Sequence, residues 1–266
     1  MDLVTLVAEA SAILDAAAKP FVAGHRADSA VSKRGDDFAT QVDLEIERQV
    51  VDALVSATGI PVHGEEFGGA DLDSPWVWVL DPVDGTINYA AGSPMAAILL
   101  GLLNDGKPVA GLTWLPFMNE RYAAVDGGPV MKNGVPQPPL VESDLNHAII
   151  GVGTFNADSR GRFPGRYRVA VLEELSRESS RMRMHGATGI DLAYVADGVL
   201  GGSISFGDHV WDHAAGVALV RAAGGIVTTL AGEEWTPASR SALAAAPGVH
   251  DQLLEMLRGV GHPDEY

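Results

Sequence analysis

A short acidic segment at the end of an apolar run holds the residues best suited to chemistry. Trp76–Leu80 is a run of apolar residues that suits a strand buried on both faces, and Asp81, Asp84, Gly85 and Thr86 follow it. Open α/β sheets bind ligands at the carboxyl ends of their strands. Two carboxylates this close repel each other unless one is protonated or a cation lies between them. A hard divalent metal ion is the simplest resolution, and a surface turn is the alternative, because Asp-Pro and Asp-Gly are ordinary turn signals.

Further acidic residues stand at the predicted ends of other elements. Glu65 follows Ile60–His63, a short strand-like run, and Asp212 opens an amphipathic helix, where an acid interacts favourably with the helix dipole. Asp43 lies three residues after Thr40, which is the spacing of a capping box. Taken singly, each acid is explained by a solvated loop or a helix cap.

The elements that must position these acids follow from hydrophobic periodicity and turn signals. Apolar residues at helical spacing predict a first helix from Leu3 that ends before Pro20, and a second helix from about Gln41 to Ala57. We expect Pro82 to end the strand that begins at Trp76, because proline cannot donate to the ladder.

Turn signals also divide the chain. Asn104–Gly106, between two apolar runs, indicates a β-hairpin. The proline-rich stretch Pro136–Pro139 is the best internal boundary, and beyond it predicted strands and helices alternate. We therefore predict an α/β protein with two halves, residues 1–138 and 139–266, that together form one compact unit.

Composition narrows the class of protein. The chain has 266 residues, of which 47% are hydrophobic, and this is enough for a substantial core. Its formal net charge of -17 argues against a nucleic acid or an anionic membrane as partner. The absence of cysteine excludes disulfides and a cysteine nucleophile. The longest apolar stretch, Met95–Leu103, is too short to span a bilayer, and the N-terminus has no signal-peptide pattern, so we expect a cytoplasmic protein.

Together the acidic segments resemble the signature of the inositol monophosphatase family, the lithium-sensitive, magnesium-dependent phosphatases. The similar segments, in the family's order, are Lys33 with residues 37–43, residues 64–66, residues 81–86, and residues 211–212 with 222–225. The resemblance covers most of the chain. It implies a layered αβαβα sandwich of the inositol monophosphatase and fructose-1,6-bisphosphatase type, and a homodimer.

The resemblance also implies a set of metal ligands. A first Mg²⁺ would be held by Glu65, Asp81 and the carbonyl of Val83, and a second by Asp81, Asp84 and Asp212, with a third, weaker ion near Glu65. Such ions neutralise phosphate oxygens and lower the pKa of a bound water molecule. Inhibition by Li⁺ is expected on the same grounds.

Catalytic roles follow from the resemblance in the same way. Thr86, paired with Asp43 and assisted by Glu65, would orient and deprotonate the attacking water, and the amides of Gly85 and Thr86 would bind the phosphate. In-line attack would release inorganic phosphate without a covalent intermediate. The loop from Lys33 to Asp37 resembles the mobile lid of the family.

The implied substrate contacts are Asp84, Gly186, Thr188 and Ser205. The familiar Gly-Thr-Ala order reads Gly-Ala-Thr at residues 186–188 of this chain. Ser205 stands where the animal-type enzymes have a glutamate that binds inositol hydroxyls. Recognition is therefore looser, different or supplied elsewhere, with Asp191 and Asp208 as candidates. We expect His213, beside the metal aspartate, to pack or to support the site rather than bind metal.

Inositol monophosphate is accordingly the expected substrate, and histidinol phosphate is its main competitor. A sugar bisphosphate or a 3′-phosphonucleotide is less favoured, because the sequence shows no obvious second basic pocket. Asp81–Thr86 is also superficially similar to the element of phosphatases that form an aspartyl-phosphate, but the spacing has one extra residue. A metal-binding scaffold without turnover is the remaining alternative, and the pairing of Thr86 with Asp43 argues against it.

Overall fold

The computed structural model describes residues 2–26, 28–32 and 38–266, and the segment 33–37, with Lys33 and the predicted lid, lies outside them. The helices are α1 (Leu3–Ala23), α2 (Gln41–Thr58), α3 (Thr86–Ala91), α4 (Gly165–Glu178), α5 (Thr188–Ala196), α6 (Val210–Ala222) and α7 (Val249–Val260). The strands are β1 (Ser29–Ser32), β2 (Phe38–Thr40), β3 (Val62–Gly64), β4 (Gly68–Gly69), β5 (Trp76–Asp84), β6 (Ala97–Asn104), β7 (Lys107–Leu115), β8 (Glu120–Val125), β9 (Met131–Lys132), β10 (Val135–Pro136), β11 (Ile149–Val152), β12 (Arg181–Arg183), β13 (Gly202–Ser205), β14 (Ile226–Thr228) and β15 (Ala242–Ala245).

The larger sheet has the strand order β10-β9-β8-β7-β6-β5-β3-β4. Its ladders are antiparallel except between β3 and β5, which run parallel, so the two strands deliver Glu65 and Asp81 to the same edge. The predicted hairpin joins β6 to β7 through Asp105 and Gly106, both at positive φ (47° and 74°). That backbone is typical of a two-residue hairpin loop, and the hairpin prediction is confirmed.

The smaller sheet has the order β12-β11-β13-β15-β14. Strand β11 runs parallel to both β12 and β13, and β15 runs antiparallel to its neighbours. The parallel strands in its middle end near Val152 and Ser205. Their carboxyl ends thus form one side of a crevice, as the topology of open α/β sheets favours.

Five layers stack in the order helix, sheet, helix, sheet, helix. Helices α1 and α2 cover the outer face of the larger sheet, α5 and α6 lie between the sheets, and α4 and α7 cover the smaller sheet. The pleat of β5 shows the division, because Val77 and Val79 face the inner helices while Trp78 and Leu80 face α1 and α2. The predicted αβαβα sandwich is confirmed. The boundary between residues 138 and 139 stays a prediction, since the inner helices share one core with both sheets.

Helix α6 packs so closely against the larger sheet that the sheet residues at the contact can have no side chain. A Cβ atom built on Gly111 of β7 would lie 2.1 Å from the carbonyl oxygen of Ala215, and one on Gly101 of β6 would lie 2.8 Å from Cβ of Ala214. These two glycines therefore let the helix backbone rest on the sheet. The close approach brings Asp212, in the first turn of α6, toward the end of β5.

Both proline predictions were wrong in detail. Helix α1 continues to Ala23 with Pro20 in its last turn, because the helix loses only one hydrogen bond there while Phe21 becomes fully buried. Strand β5 continues to Asp84, because the register shifts between Asp81 and Asp84 and Pro82 falls within this irregularity. A bulge is where a sheet tolerates proline.

Among the described residues, no helix is both long and apolar enough to cross a membrane.

Replacing Gly111 by alanine tests the close packing of α6. The new methyl group would collide with backbone atoms of Ala215, which cannot move aside as a flexible side chain can. We expect Gly111→Ala to lower the free energy of unfolding by roughly 1–3 kcal/mol or more. Chemical denaturation measures this.

Gly259→Ala is the matched control for that substitution. Gly259 lies in α7, and a Cβ atom there would meet nothing within 4 Å. Its change should be neutral or stabilising by up to about 1 kcal/mol. Equal stability of Gly111→Ala and wild type would show that α6 does not depend on this contact.

Candidate active site

A cavity of about 330 Å³ opens between the two sheets at the end of β5. Its lining includes Glu65, Asp84, Thr86, Asp191, Ser205 and Asp212. Two larger clefts, of about 960 and 920 Å³, lie elsewhere and contain none of these residues. The smaller cavity is therefore the candidate site, since the acidic side chains and not the volume decide the chemistry.

Asp81 lies at the centre of the acidic group and is almost fully buried. Its Oδ1 accepts a hydrogen bond of 2.9 Å from the amide of Val83. Burial raises the pKa of the Asp81 carboxyl well above its usual value, and the negative charges of Glu65, Asp84 and Asp212 raise it further. A hydrogen bond between the carboxyl groups of Asp81 and Glu65 acts in the same direction.

Asp84 is held by the beginning of α5. Its Oδ1 and Oδ2 accept hydrogen bonds from the amides of Thr188 and Gly189, at 3.1 and 2.8 Å. Burial raises the pKa of Asp84 to about 7, and the bond from the Gly189 amide opposes that rise. This aspartate on β5 therefore links the larger sheet to the inner helices. Thr188, predicted to contact substrate, gives its amide to Asp84.

Thr86 lines the cavity, and its hydroxyl contacts Asp43, which is fully buried. The hydroxyl of Thr86 lies 3.3 Å from Oδ1 of Asp43 and 3.1 Å from the carbonyl oxygen of Val83. Asp43 also accepts hydrogen bonds from the amide and hydroxyl of Thr40, which completes the capping box of α2. Burial raises the pKa of Asp43, and its bonds from Thr40 oppose this.

The donor set suits a hard divalent cation. Its side chains, Glu65, Asp81, Asp84 and Asp212, offer only oxygen atoms, and Mg²⁺ prefers such ligands. Asp81 is coupled electrostatically to the other three, so a cation here would relieve a repulsion that protons otherwise neutralise. Within the ranges that the structure covers, no three such side chains already stand at the spacing of metal ligands.

The loop before α5 forms one side of the cavity. The side-chain amide of Asn88 donates hydrogen bonds to the carbonyls of His185 and Met95, at 2.7 and 2.9 Å, and fixes this loop on α3. Gly186 adopts a φ of +76°, and together with Ala187 it lines the cavity beside Gly85. The loop is thereby held against the acidic group.

Comparison with known proteins identifies the family of the chain. Residues 2–261 match the sequence profile of the inositol monophosphatase family. The chain belongs to that family. It is 74% identical over 261 residues to the probable inositol 1-monophosphatase ImpA of Mycobacterium tuberculosis, covering 98% of this chain and 97% of the relative.

Two further comparisons extend this. The chain is 70% identical over 264 residues to the inositol-1-monophosphatase ImpA of Mycolicibacterium smegmatis, covering 99% and 96% of the two chains. The crystal structure of the extragenic suppressor protein suhB from Bartonella henselae superimposes with a TM-score of 0.85 at 27% identity, covering 96% of this chain and 98% of that one.

Two further residues of this inositol monophosphatase family member line the cavity: Asp191, a candidate from the sequence whose pairing with His185 was not predicted, and Arg168, which was not predicted at all. Asp191 of α5 is buried, and its Oδ1 lies 2.5 Å from Nδ1 of His185. Arg168 of α4 also lines the cavity, with its guanidinium 4.8 Å from the ring centre of Phe206 and its Nε bonded to the carbonyl of Phe163 at 2.9 Å. Burial lowers the pKa of Arg168. No local pattern marked Arg168, because a single arginine on a helix usually indicates a solvated face.

Glu47 is another residue that sequence reasoning missed. It lies on α2, it is 1% exposed, and its Oε2 and Oε1 accept hydrogen bonds from the amides of Glu66 and Phe67, at 2.8 and 2.9 Å. A buried carboxylate is expensive unless it is hydrogen-bonded in this way. Glu47 therefore shapes the turn that presents Glu65. Its place on the buried stripe of α2, among apolar residues, was the available signal.

Glu47→Gln tests this support. One acceptor oxygen becomes an NH₂ group that faces a backbone N–H, so we expect a loss of roughly 1–3 kcal/mol in the free energy of unfolding. Amide hydrogen exchange at Glu66 and Phe67 should accelerate. Glu45→Gln, on the exposed side of the same helix, is the control and should change neither quantity. Unchanged exchange at both amides in Glu47→Gln would contradict the assignment.

Proposed function

We propose that this protein is a phosphomonoesterase that hydrolyses inositol monophosphate to inositol and inorganic phosphate. The observation that supports the proposal most directly is the group of coupled carboxylates around Asp81, with Thr86 and Asp43 directly beside it. Such a group is costly to bury without a task that uses it. The names of the two ImpA relatives, at 74% and 70% identity, favour inositol 1-phosphate among the monoesters.

Mg²⁺ is the proposed cofactor, with two ions and a third, weaker one. Glu65, Asp81 and the carbonyl of Val83 would hold the first ion, and Asp81, Asp84 and Asp212 the second, with the third near Glu65. When bound, such ions neutralise phosphate oxygens, lower the pKa of bound water and stabilise the departing alkoxide.

Thr86 and Asp43 would orient the attacking water. The hydroxyl hydrogen of Thr86 points to Asp43 or to the carbonyl of Val83, so a lone pair of its Oγ1 remains for a hydrogen of the water. Glu65 lines the same cavity and would accept the proton that the water loses. Asp43 accepts a hydrogen bond from the amide of Thr40, which holds its carboxylate beside the Thr86 hydroxyl.

Gly85 and Thr86 would bind the phosphate through their amides. Helix α3 begins at Thr86, and the first amides of a helix have no partner within the helix. Gly85 adopts a φ of +82°, and a Cβ atom there would lie 2.8 Å from the carbonyl oxygen of Met95. Only glycine permits this turn, so we infer that it lets the backbone approach the phosphate. The leaving inositol would then face Asp84, Gly186, Thr188 and Ser205.

A monoester that carries a second anionic group, such as a sugar bisphosphate, is the second candidate substrate. Arg168 supports it, because it is the only arginine or lysine among the described residues that line the cavity. Its guanidinium packs on the rings of Phe155 and Phe206, and its Nε donates to the carbonyl of Phe163. This cation, which the sequence did not reveal, would bind the second anionic group of such a substrate.

Phosphate release from a panel of substrates tests the function. We expect inositol 1-phosphate to have the highest kcat/KM among inositol 1-phosphate, histidinol phosphate, fructose 1,6-bisphosphate and a 3′-phosphonucleotide at saturating Mg²⁺. Chelation of the metal should abolish turnover, and re-addition should restore it. A clear preference for another substrate of the panel would replace inositol 1-phosphate as the proposed substrate. If no substrate released phosphate, the metal-binding scaffold would be favoured.

Asp84→Asn tests the metal assignment. The substitution keeps the shape of the side chain but removes a charge, so we expect kcat to fall by about a hundredfold or more while circular dichroism shows a folded protein. Asp105→Asn is the control, because Asp105 is exposed in the hairpin loop and asparagine tolerates its positive φ. Near-normal Mg²⁺-dependent activity of Asp84→Asn would reject its role as a ligand.

We also propose a homodimer, a cytoplasmic location and inhibition by Li⁺, all on the strength of family membership. Light scattering in solution tests the first. A monomer at micromolar concentration would contradict it. Activity that millimolar Li⁺ leaves unchanged would count against the family's usual second metal site, without refuting phosphatase chemistry.

A further inference from the structure

Ser205 and His213 form a buried pair in the wall of the cavity. Ser205 ends β13, is 4% exposed and lines the cavity, while His213 lies in the first turn of α6 and is fully buried. Oγ of Ser205 and Nε2 of His213 are 2.8 Å apart. Ser205 therefore lies where a substrate in the cavity can contact it, whereas His213 lies behind it and out of reach.

The second ring nitrogen of His213 decides the direction of this hydrogen bond. Nδ1 lies 2.8 Å from the carbonyl oxygen of His209. A carbonyl oxygen can only accept, so Nδ1 must have the hydrogen. In the imidazole tautomer that places its hydrogen on Nδ1, Nε2 has a lone pair and accepts from the hydroxyl of Ser205.

The hydroxyl hydrogen of Ser205 is consequently committed to His213. Ser205 Oγ also lies 3.4 Å from the amide nitrogen of Gly207, a long contact in which Oγ is the acceptor. What Ser205 retains for the cavity is lone-pair density on Oγ. A free serine hydroxyl could rotate to donate or to accept, and this one cannot donate.

We propose that His213 is a positioning residue that makes Ser205 an uncharged hydrogen-bond acceptor for a hydroxyl group of the substrate. The proposal rests on the proposed function and names what recognises the alcohol part of the substrate. An acceptor that is neutral binds a polyol hydroxyl without attracting a cation at that point. Ser205 thus offers the same hydrogen-bond polarity as a carboxylate would, but without its charge.

A serine beside a histidine also suggests a nucleophile, but the surroundings argue against that reading. Nδ1 of His213 contacts a carbonyl oxygen, whereas a catalytic histidine in such dyads usually has a carboxylate that stabilises its charged form. Burial further disfavours that charged form. The pair is therefore suited to orient a hydroxyl rather than to remove its proton.

Substrate analogues with one hydroxyl changed measure the polarity of this contact. We would compare kcat/KM for inositol 1-phosphate with its deoxy and deoxyfluoro analogues at each ring position in turn, since fluorine cannot donate a hydrogen bond. At one position, we expect the wild type to lose about fivefold for deoxy and for fluoro alike, mostly through KM. A fluoro analogue clearly better than the deoxy analogue at every sensitive position would mean that the protein donates there, which would overturn the proposal.

Variants identify the residues responsible. Ser205→Ala should remove the discrimination at that same position and raise the KM for inositol 1-phosphate by about fivefold, because the contact is lost for every substrate. His213→Leu frees the serine hydroxyl, so the fluoro analogue should recover relative to the deoxy analogue. His213→Gln can donate to the carbonyl and accept from the serine, and it should restore the wild-type pattern. His250→Gln is the control, because His250 is also a buried histidine in the first turn of a helix. It should leave kcat/KM for the parent substrate and for both analogues unchanged.

The outcomes separate this inference from the proposed function. A wild type that fails to hydrolyse inositol 1-phosphate refutes the proposed function itself. Hydrolysis with the same analogue pattern in wild type and Ser205→Ala refutes only the role of Ser205. If the His213 variants do not fold, the wild-type and Ser205→Ala patterns still decide whether Ser205 accepts. Phosphate covalently trapped on Ser205 would overturn the proposal in favour of a nucleophile.

Discussion

The buried charge of Asp81 is the constraint on which the rest of the site depends. The apolar burial that forms β5 also draws its terminal carboxylate out of water, and Glu65, Asp84 and Asp212 add to the cost of ionising it. Either protons or a cation must neutralise this group. Protonation and cation binding are thus two ways to neutralise the same buried charge, and the proposed function uses the second.

The inner helices bring the remaining charges to that point. Asp84 accepts hydrogen bonds from the first amides of α5, and Asp212 lies in the first turn of α6, so both acids sit where helix dipoles favour negative charge. The helices can reach the sheet because Gly101 and Gly111 leave room for the backbone of α6. Packing and electrostatics therefore act together, since the closeness of α6 to the sheet is what puts Asp212 beside Asp81.

Several buried polar residues act by fixing other residues rather than by meeting a ligand. Glu47 holds the turn that presents Glu65, Thr40 fixes Asp43, and His213 orients Ser205. Each of these side chains is hydrogen-bonded inside the protein, as burial requires. These hydrogen bonds fix the positions of Glu65, Asp43 and Ser205 relative to the cavity.

The sequence by itself determined the family, the layered fold and the segments that hold the acids, because motif spacing and hydrophobic periodicity are local properties. It was less reliable at Pro20 and Pro82, where tertiary burial and a bulge overrode the local rule for proline. Only the tertiary structure decided that Glu47 meets the amides of Glu66 and Phe67, that Arg168 meets Phe206 and that His213 meets Ser205, since contacts between residues 8 to 38 positions apart leave no local pattern. The direction of the last hydrogen bond also depends on the carbonyl of His209, which the start of α6 places against Nδ1 of His213.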